Sequence, residues 1–196
     1  MRKLVYYVGV SLDGYIAGPA DEVDFYPLSD AMAAWINTHY PETVPTHLRA
    51  QAGLADTPNH AFDTVIMGRR TYEPALAVDV TSPYAHLRQL VVSSILGSDG
   101  AALDPAVEVV SDDPIAAVRG LKAEDGLDIW LAGGGKLAAA LLPEIDELIV
   151  KQYPVVAGTG LPAFAGAFRP TAFSPARSES FDNGARVTWF ERTPQS

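Results

Sequence analysis

Two short segments carry residue types that handle anions. In TVIMGRRTYE (64–73), Gly68 is followed at once by Arg69, Arg70 and Thr71. If Gly68 ends a strand and the next residues open a helix, both guanidinium groups sit at a helix N-terminus. There the backbone N–H groups lack partners and the partial charge is positive, so cations are unfavourable and an anion is welcome. An anion met by both arginines gains charge-assisted hydrogen bonds of about 1.5–3 kcal/mol each, less when exposed. The alternative is that both arginines are solvated surface residues. The second segment, LDIWLAGGGKL (127–137), has three consecutive glycines, Gly133, Gly134 and Gly135, ahead of Lys136 and Leu137. Such a run costs backbone entropy and makes sense where backbone must approach something closely. Between a strand and a helix it lets a diphosphate rest on exposed N–H groups; the alternative is a tight turn with close helix packing. It is not a P-loop, which needs Ser or Thr after the lysine, and it lacks the later glycine of the dinucleotide fingerprint.

Other chemistries find less support. The chain has no cysteine, which excludes a thiol nucleophile, a disulfide framework and cysteine-bound zinc. His39, His47, His60 and His86 show no metal-ligand spacing, so no metal is expected. Gly97-Ser98-Asp99-Gly100 lacks the spacing of a nucleophile elbow. Asp13, Asp24 and Asp30 are acids in or beside the early loop. Asp13 reads as a turn residue, Tyr153 as a packed strand residue with a substrate-facing role as the alternative, and Tyr6, Tyr7, Trp130 and Trp189 as core or interface.

Elements that would position these groups follow from pattern. Strands are expected at 3–11, 62–67, 89–93, 107–110 and 127–131. The apolar stretch 145–156 is expected as a strand interrupted near Pro154. Leu28, Met32, Trp35 and Ile36 predict a helix over 28–40 capped by Ser29 or Asp30. Short helices are expected at 47–54 and 70–76, another from Pro114 to a stop at Gly126, and one over KLAAALLP (136–143). Asn183-Gly184 between two extended runs is a hairpin signal. Strands alternating with helices, then a hairpin, predict an α/β fold: a mixed, mostly parallel sheet flanked by helices, with a C-terminal antiparallel hairpin. No repeat or linker divides the 196 residues, so a single domain over 1–196 is expected.

With 48% hydrophobic residues the chain can bury a sizeable core without staples. Its formal net charge of −10 argues against a nucleic-acid partner. No apolar run approaches the roughly 18 residues of a membrane span, and no cleavage site follows the first strand. A cytoplasmic protein is expected.

Taken together, SLDGYIAG (11–18), VIMGRRTYE (65–73), VVSS (91–94), LAGGGKL (131–137) and PVVAGTGLPAF (154–164) resemble the dihydrofolate-reductase-like family. The branch they resemble most is the one related to the C-terminal reductase domain of bifunctional riboflavin biosynthesis proteins. The resemblance implies NADPH as cofactor. It implies that Gly9 and Ile16 offer backbone to the nicotinamide amide. It also implies that Arg69, Arg70 and Thr71, with Ser93 and Ser94, surround the 2′-phosphate and diphosphate. Gly68 permits the tight exit beside them, and Gly133, Gly134, Gly135 and the N–H groups of Lys136 and Leu137 hold the diphosphate from the other side. Folate reductases carry an acid early in the helix after the first loop. Asp30 stands in a similar place, although its spacing to Pro27 and Trp35 differs and the segment through Asn59 is longer. Asp30 is thus the catalytic candidate, and a helix-start residue favoured by the dipole is the alternative. The expected activity is hydride transfer from NADPH to a small pterin- or pyrimidine-like substrate. The alternatives are reduction of a ribosylpyrimidine phosphate or non-catalytic NADPH binding. A homodimer is implied as well.

Overall fold

The computed structural model describes residues 1–96 and 104–193; Gly97-Ser98-Asp99-Gly100 lies outside them. Eight strands form one sheet. These are β1 (Leu4–Val10), β3 (Phe62–Gly68), β4 (Arg88–Val92), β5 (Val107–Val110), β6 (Asp128–Gly133), β7 (Glu147–Gln152), β9 (Phe173–Ser180) and β10 (Arg186–Arg192), in the order β5-β4-β3-β6-β1-β7-β10-β9. The pairings from β5 across to β7 are parallel; β10 joins β7 antiparallel and β9 closes the hairpin. This is the mixed, mostly parallel sheet with a C-terminal hairpin that the pattern predicts.

Both faces of the sheet are covered, so the parallel strands are apolar on both sides. On one face Val5, Tyr7, Phe62, Val65, Met67, Trp130, Ile149, Val187 and Trp189 pack against Met32 and Tyr72. Those two come from α1 (Asp30–His39) and α3 (Arg69–Leu76). On the other face Leu4, Tyr6, Ile66, Ile129 and Leu131 meet α4 (Pro114–Ala123) and α5 (Gly135–Ala140) through Val118, Leu121, Leu137 and Ala138. Tyr6, Tyr7, Trp130 and Trp189 are core residues, as expected.

Several boundaries differ from the sequence pattern. α1 starts at Asp30, because the Ser29 side chain accepts the Met32 N–H and so fixes the cap there. The helix expected at 47–54 is α2 (Thr46–Arg49), followed by turns, with a 3₁₀ turn at Pro41–Thr43 before it. α4 ends at Ala123, short of Gly126. Only Glu147–Gln152 of the apolar stretch 145–156 is strand; Tyr153 packs at 6% exposure just beyond it. A second, two-stranded sheet pairs β2 (Tyr15–Ala17) with β8 (Leu161–Pro162) and has no counterpart in the pattern. The hairpin is present, but only Gly184 (φ +80°), not Asn183, has positive φ. Gly184 N–H donates to Phe181 O at 3.0 Å and Asn183 Oδ1 accepts the Ala185 N–H at 3.0 Å, so the turn is longer than the two-residue one Asn-Gly signals. Among the described residues no helix is long and apolar enough to cross a membrane.

Candidate active site

The two glycine junctions lie back to back at the C-terminal ends of neighbouring strands β3 and β6. Gly68 caps α3 and Gly134 caps α5, and at neither does a side chain supply a capping hydrogen bond. A Cβ placed on Gly68 would lie 3.6 Å from Gly134 N and 3.7 Å from Gly133 O. One on Gly134 would lie 3.7 Å from Thr71 Oγ1 and 3.9 Å from Ile16 Cδ1, and one on Gly133 3.9 Å from Thr71 Oγ1. Gly133 has φ +120°, a conformation that favours glycine, and the Gly133–Gly134 peptide is cis. Gly68, Thr71, Ile16, Gly133 and Gly134 are thus one cluster, in which Gly68 and Gly134 are half-buried and Gly133 is buried. Gly135 has a different duty. Its Cβ would strike the Pro162 carbonyl oxygen, and its own carbonyl accepts the Ala165 N–H at 2.9 Å, so it packs α5 against β8.

The loop after β1 is fixed onto the same edge. Asp13 accepts the Ala157 and Gly158 N–H groups at 3.0 and 2.7 Å and the Ser11 hydroxyl at 2.6 Å. The Ser11 bond, followed by the backbone donors, holds its carboxyl down at about 2. This is the turn role expected of Asp13. Ala163 N–H donates to Gly14 O at 2.9 Å, and the Tyr6 hydroxyl donates to Ala163 O at 3.0 Å.

The cations stand differently from the expectation. Each arginine already carries a carboxylate: Arg70 pairs with Asp21 and Arg69 with Glu73, one helical turn on. The sequence pattern placed both next to an anion but did not reveal these partners. Ser93 is buried, and its hydroxyl accepts the Ile95 and Leu96 N–H groups at 3.2 and 2.9 Å, so it caps its own turn. Ser94 and the Lys136 side chain are exposed, and Leu137 is buried in the core. Asp30 is exposed in the first turn of α1, beside the hairpin turn where Ser29 donates to Asp182. It is not among the residues that the glycine cluster contacts.

The family model described as the RibD C-terminal domain matches residues 2–187. This chain belongs to the RibD C-terminal domain family. It is 33% identical over 165 residues to the uncharacterized protein YwjB of Bacillus subtilis (strain 168), covering 83% of each chain. Its fold matches a putative riboflavin biosynthesis protein from Shewanella sp. PV-4 with a TM-score of 0.68 and 23% identity, over 99% of this chain and 100% of that one. It also matches the Thermotoga maritima diaminohydroxyphosphoribosylaminopyrimidine deaminase/5-amino-6-(5-phosphoribosylamino)uracil reductase, with a TM-score of 0.62 and 15% identity. That match covers 98% of this chain and 57% of the other.

One corner of this RibD C-terminal domain was not legible from motifs. Lys151 on β7 pairs in register with Gly9 on β1, and its Nζ lies 3.7 Å from the centre of the Tyr7 ring. Tyr153, whose Cε2 would be 3.2 Å from a Cβ on Gly9, stacks on Tyr26 with ring centroids 4.7 Å apart. The Tyr26 hydroxyl donates to Tyr15 O at 2.7 Å. Gly9, lacking a side chain, therefore leaves room for the Tyr153 ring to lie against β1, beside Lys151 and Tyr7. Gly9 and Tyr153 were singled out from the sequence, but nothing there tied Lys151 to them.

Proposed function

We propose that this protein is an NADPH-dependent reductase acting on a small planar heterocycle, of pyrimidine rather than pterin type. Membership of the RibD C-terminal domain family supports oxidoreductase chemistry. The observation that carries the cofactor assignment is the pair of facing junctions, Gly68 against Gly133 and Gly134, where any side chain would fill the space a diphosphate needs. Thr71 and Ile16 border that space. Arg69 and Arg70 are placed to meet a 2′-phosphate once they exchange carboxylate for phosphate. When bound there, NADPH supplies a hydride; the chain's own residues orient the partners and shield them from water.

The preference for a pyrimidine follows from charge. A pterin presents amidine N–H groups that a buried carboxylate recognises, and Asp30, the acid in the corresponding place, is exposed. Lys151, in register with Gly9 and free of any carboxylate, offers a cation instead, which suits the carbonyl-rich edge of a pyrimidinedione. The test is a fluorescence titration with NADPH and NADH, followed by NADPH oxidation in the presence of 5-amino-6-(5-phosphoribosylamino)uracil and, separately, dihydrofolate. Tighter binding of NADPH and turnover of the uracil compound uphold the reading. Equal binding of both nucleotides, or turnover of neither acceptor, overturns it.

A further inference from the structure

Lys151 stands apart from the other basic residues. Arg2, Lys3, Arg69, Arg70, Arg88, Arg119, Lys122 and Arg177 each have a carboxylate partner. Arg49 and Arg192 donate to backbone carbonyls. Lys136, Arg169 and Arg186 are solvated at the surface. Among the described residues Lys151 alone is a half-buried cation whose Nζ meets no carboxylate, carbonyl or hydroxyl, only the face of Tyr7. A buried ammonium in such surroundings is costly unless something else occupies its donors. Its register partner Gly9 is near the C-terminal end of β1, on the same edge of the parallel sheet as the glycine cluster, with the Tyr153 ring against it.

We propose that Lys151 is the catalytic proton donor of the reductase. This rests on the reductase reading and deepens it, since no group has yet been assigned to deliver a proton. In the reduction of a C=N bond the hydride adds to carbon and the π pair moves to nitrogen. That nitrogen takes the proton from Lys151 Nζ, leaving a neutral amine that water reprotonates. The dinucleotide is oxidised and the acceptor reduced, so charge and atoms balance.

The surroundings suit the task. Burial lowers the Lys151 pKa to about 7, so the proton is readily given near neutral pH. The titratable groups around it are the phenols of Tyr7, Tyr153 and Tyr26, each pushed up by burial and so uncharged. Of the acids and bases on the neighbouring α1 and hairpin, Asp30, Arg186 and Glu191 are exposed to solvent and others are engaged elsewhere. Glu179 accepts Trp35 Nε1 and lies 3.9 Å from Arg177, which covers the Trp189 ring. Asp182 accepts the Ser29 hydroxyl, and His39 stacks on Trp35. Gly9 on β1 and Val187 on β10, the strand partners of Lys151, bring no charge.

The experiment combines two readouts on wild type, Lys151→Met and Lys151→Arg. In protein labelled with 13Cε-lysine, the Lys151 resonance, assigned by its absence in Lys151→Met, should titrate near pH 7 without any nucleotide present. With NADPH and 5-amino-6-(5-phosphoribosylamino)uracil, kcat should fall at least about a hundredfold in Lys151→Met while NADPH affinity stays within about twofold. Wild-type kcat should decline as pH rises through 7, and Lys151→Arg should carry the decline to higher pH. A Lys151 resonance that titrates above pH 9, or a methionine variant with wild-type kcat and pH profile, overturns the proposal and leaves the reductase reading standing. A wild type that binds NADPH but reduces no acceptor overturns both.

Discussion

Arg70 holds Asp21 through two guanidinium nitrogens, Nε at 3.0 Å and Nη2 at 2.9 Å from one carboxylate oxygen. The acid comes from the loop between β2 and α1 and the base from the first turn of α3. In the proposed complex a 2′-phosphate would need the same cation, so Asp21 and the phosphate would compete for one guanidinium.

Asp21→Asn should therefore tighten NADPH binding. The gain is bounded by what an exposed pair holds, roughly 0–1 kcal/mol, or up to about fivefold. Arg70→Ala should weaken NADPH by about ten- to a hundredfold and leave NADH nearly unchanged. Fluorescence titrations at low and high salt check both. An Arg70→Ala variant with unchanged NADPH affinity removes this arginine from the site.

The three glycines should separate by role. Gly134→Val places a branched side chain in the open space before Thr71 and Ile16 and should abolish nucleotide binding while the protein still folds. Gly135→Ala drives a methyl into the Pro162 carbonyl and should cost stability, about 1–3 kcal/mol by overpacking. Thermal melts beside NADPH titrations distinguish them. A Gly134→Val variant that binds normally would make the triplet a packing device throughout.

Lys151→Met should stabilise the protein, most at and below pH 7. Burial lowers the folded-state pKa to about 7, whereas the unfolded chain keeps the proton up to the ordinary lysine value. Between those values the unfolded state binds more protons, so wild-type stability rises with pH across the window and is penalised in full below it. Melting curves from pH 6 to 9 should show the variant ahead at pH 6, by about 2–4 °C for each kcal/mol, with the gap closing toward pH 9. A gap that is constant with pH would contradict the shifted pKa.

Asp30→Asn should change little in catalysis. The carboxylate is exposed and favoured by the start of α1, so its loss should cost about 0.3–1 kcal/mol of stability. NADPH oxidation with either acceptor should stay within roughly twofold. A tenfold loss at unchanged NADPH affinity would return Asp30 to the substrate site.

The strand list, the two junctions and the hairpin were legible because each rests on local chemistry: apolar β-branched runs, glycine at a strand exit, Asn-Gly at a turn. The strand order was not, since it depends on pairings between distant segments such as Leu4 with Ile129. β2 and β8, three and two residues long, are too short for alternation to register. At the site, the residue types of the glycine cluster announced themselves, but the partners of Arg69 and Arg70 and the commitment of Ser93 to its own turn are matters of rotamer and reach. Lys151 was missed because a lysine in a strand is ordinarily solvated, and only its register with Gly9 and its seat on Tyr7 mark it out.

The place of β1 has a consequence for how the chain is made. It leaves the ribosome well ahead of its neighbours on either side, β6 and β7, which are encoded beyond residue 127. At about 5–20 residues per second, LVYYVGV waits several seconds or longer with both edges bare. During that interval an apolar strand with open backbone is a template for pairing with other nascent chains. Newly made protein, rather than the finished molecule, is then the species most exposed to aggregation and the one with most need of a chaperone.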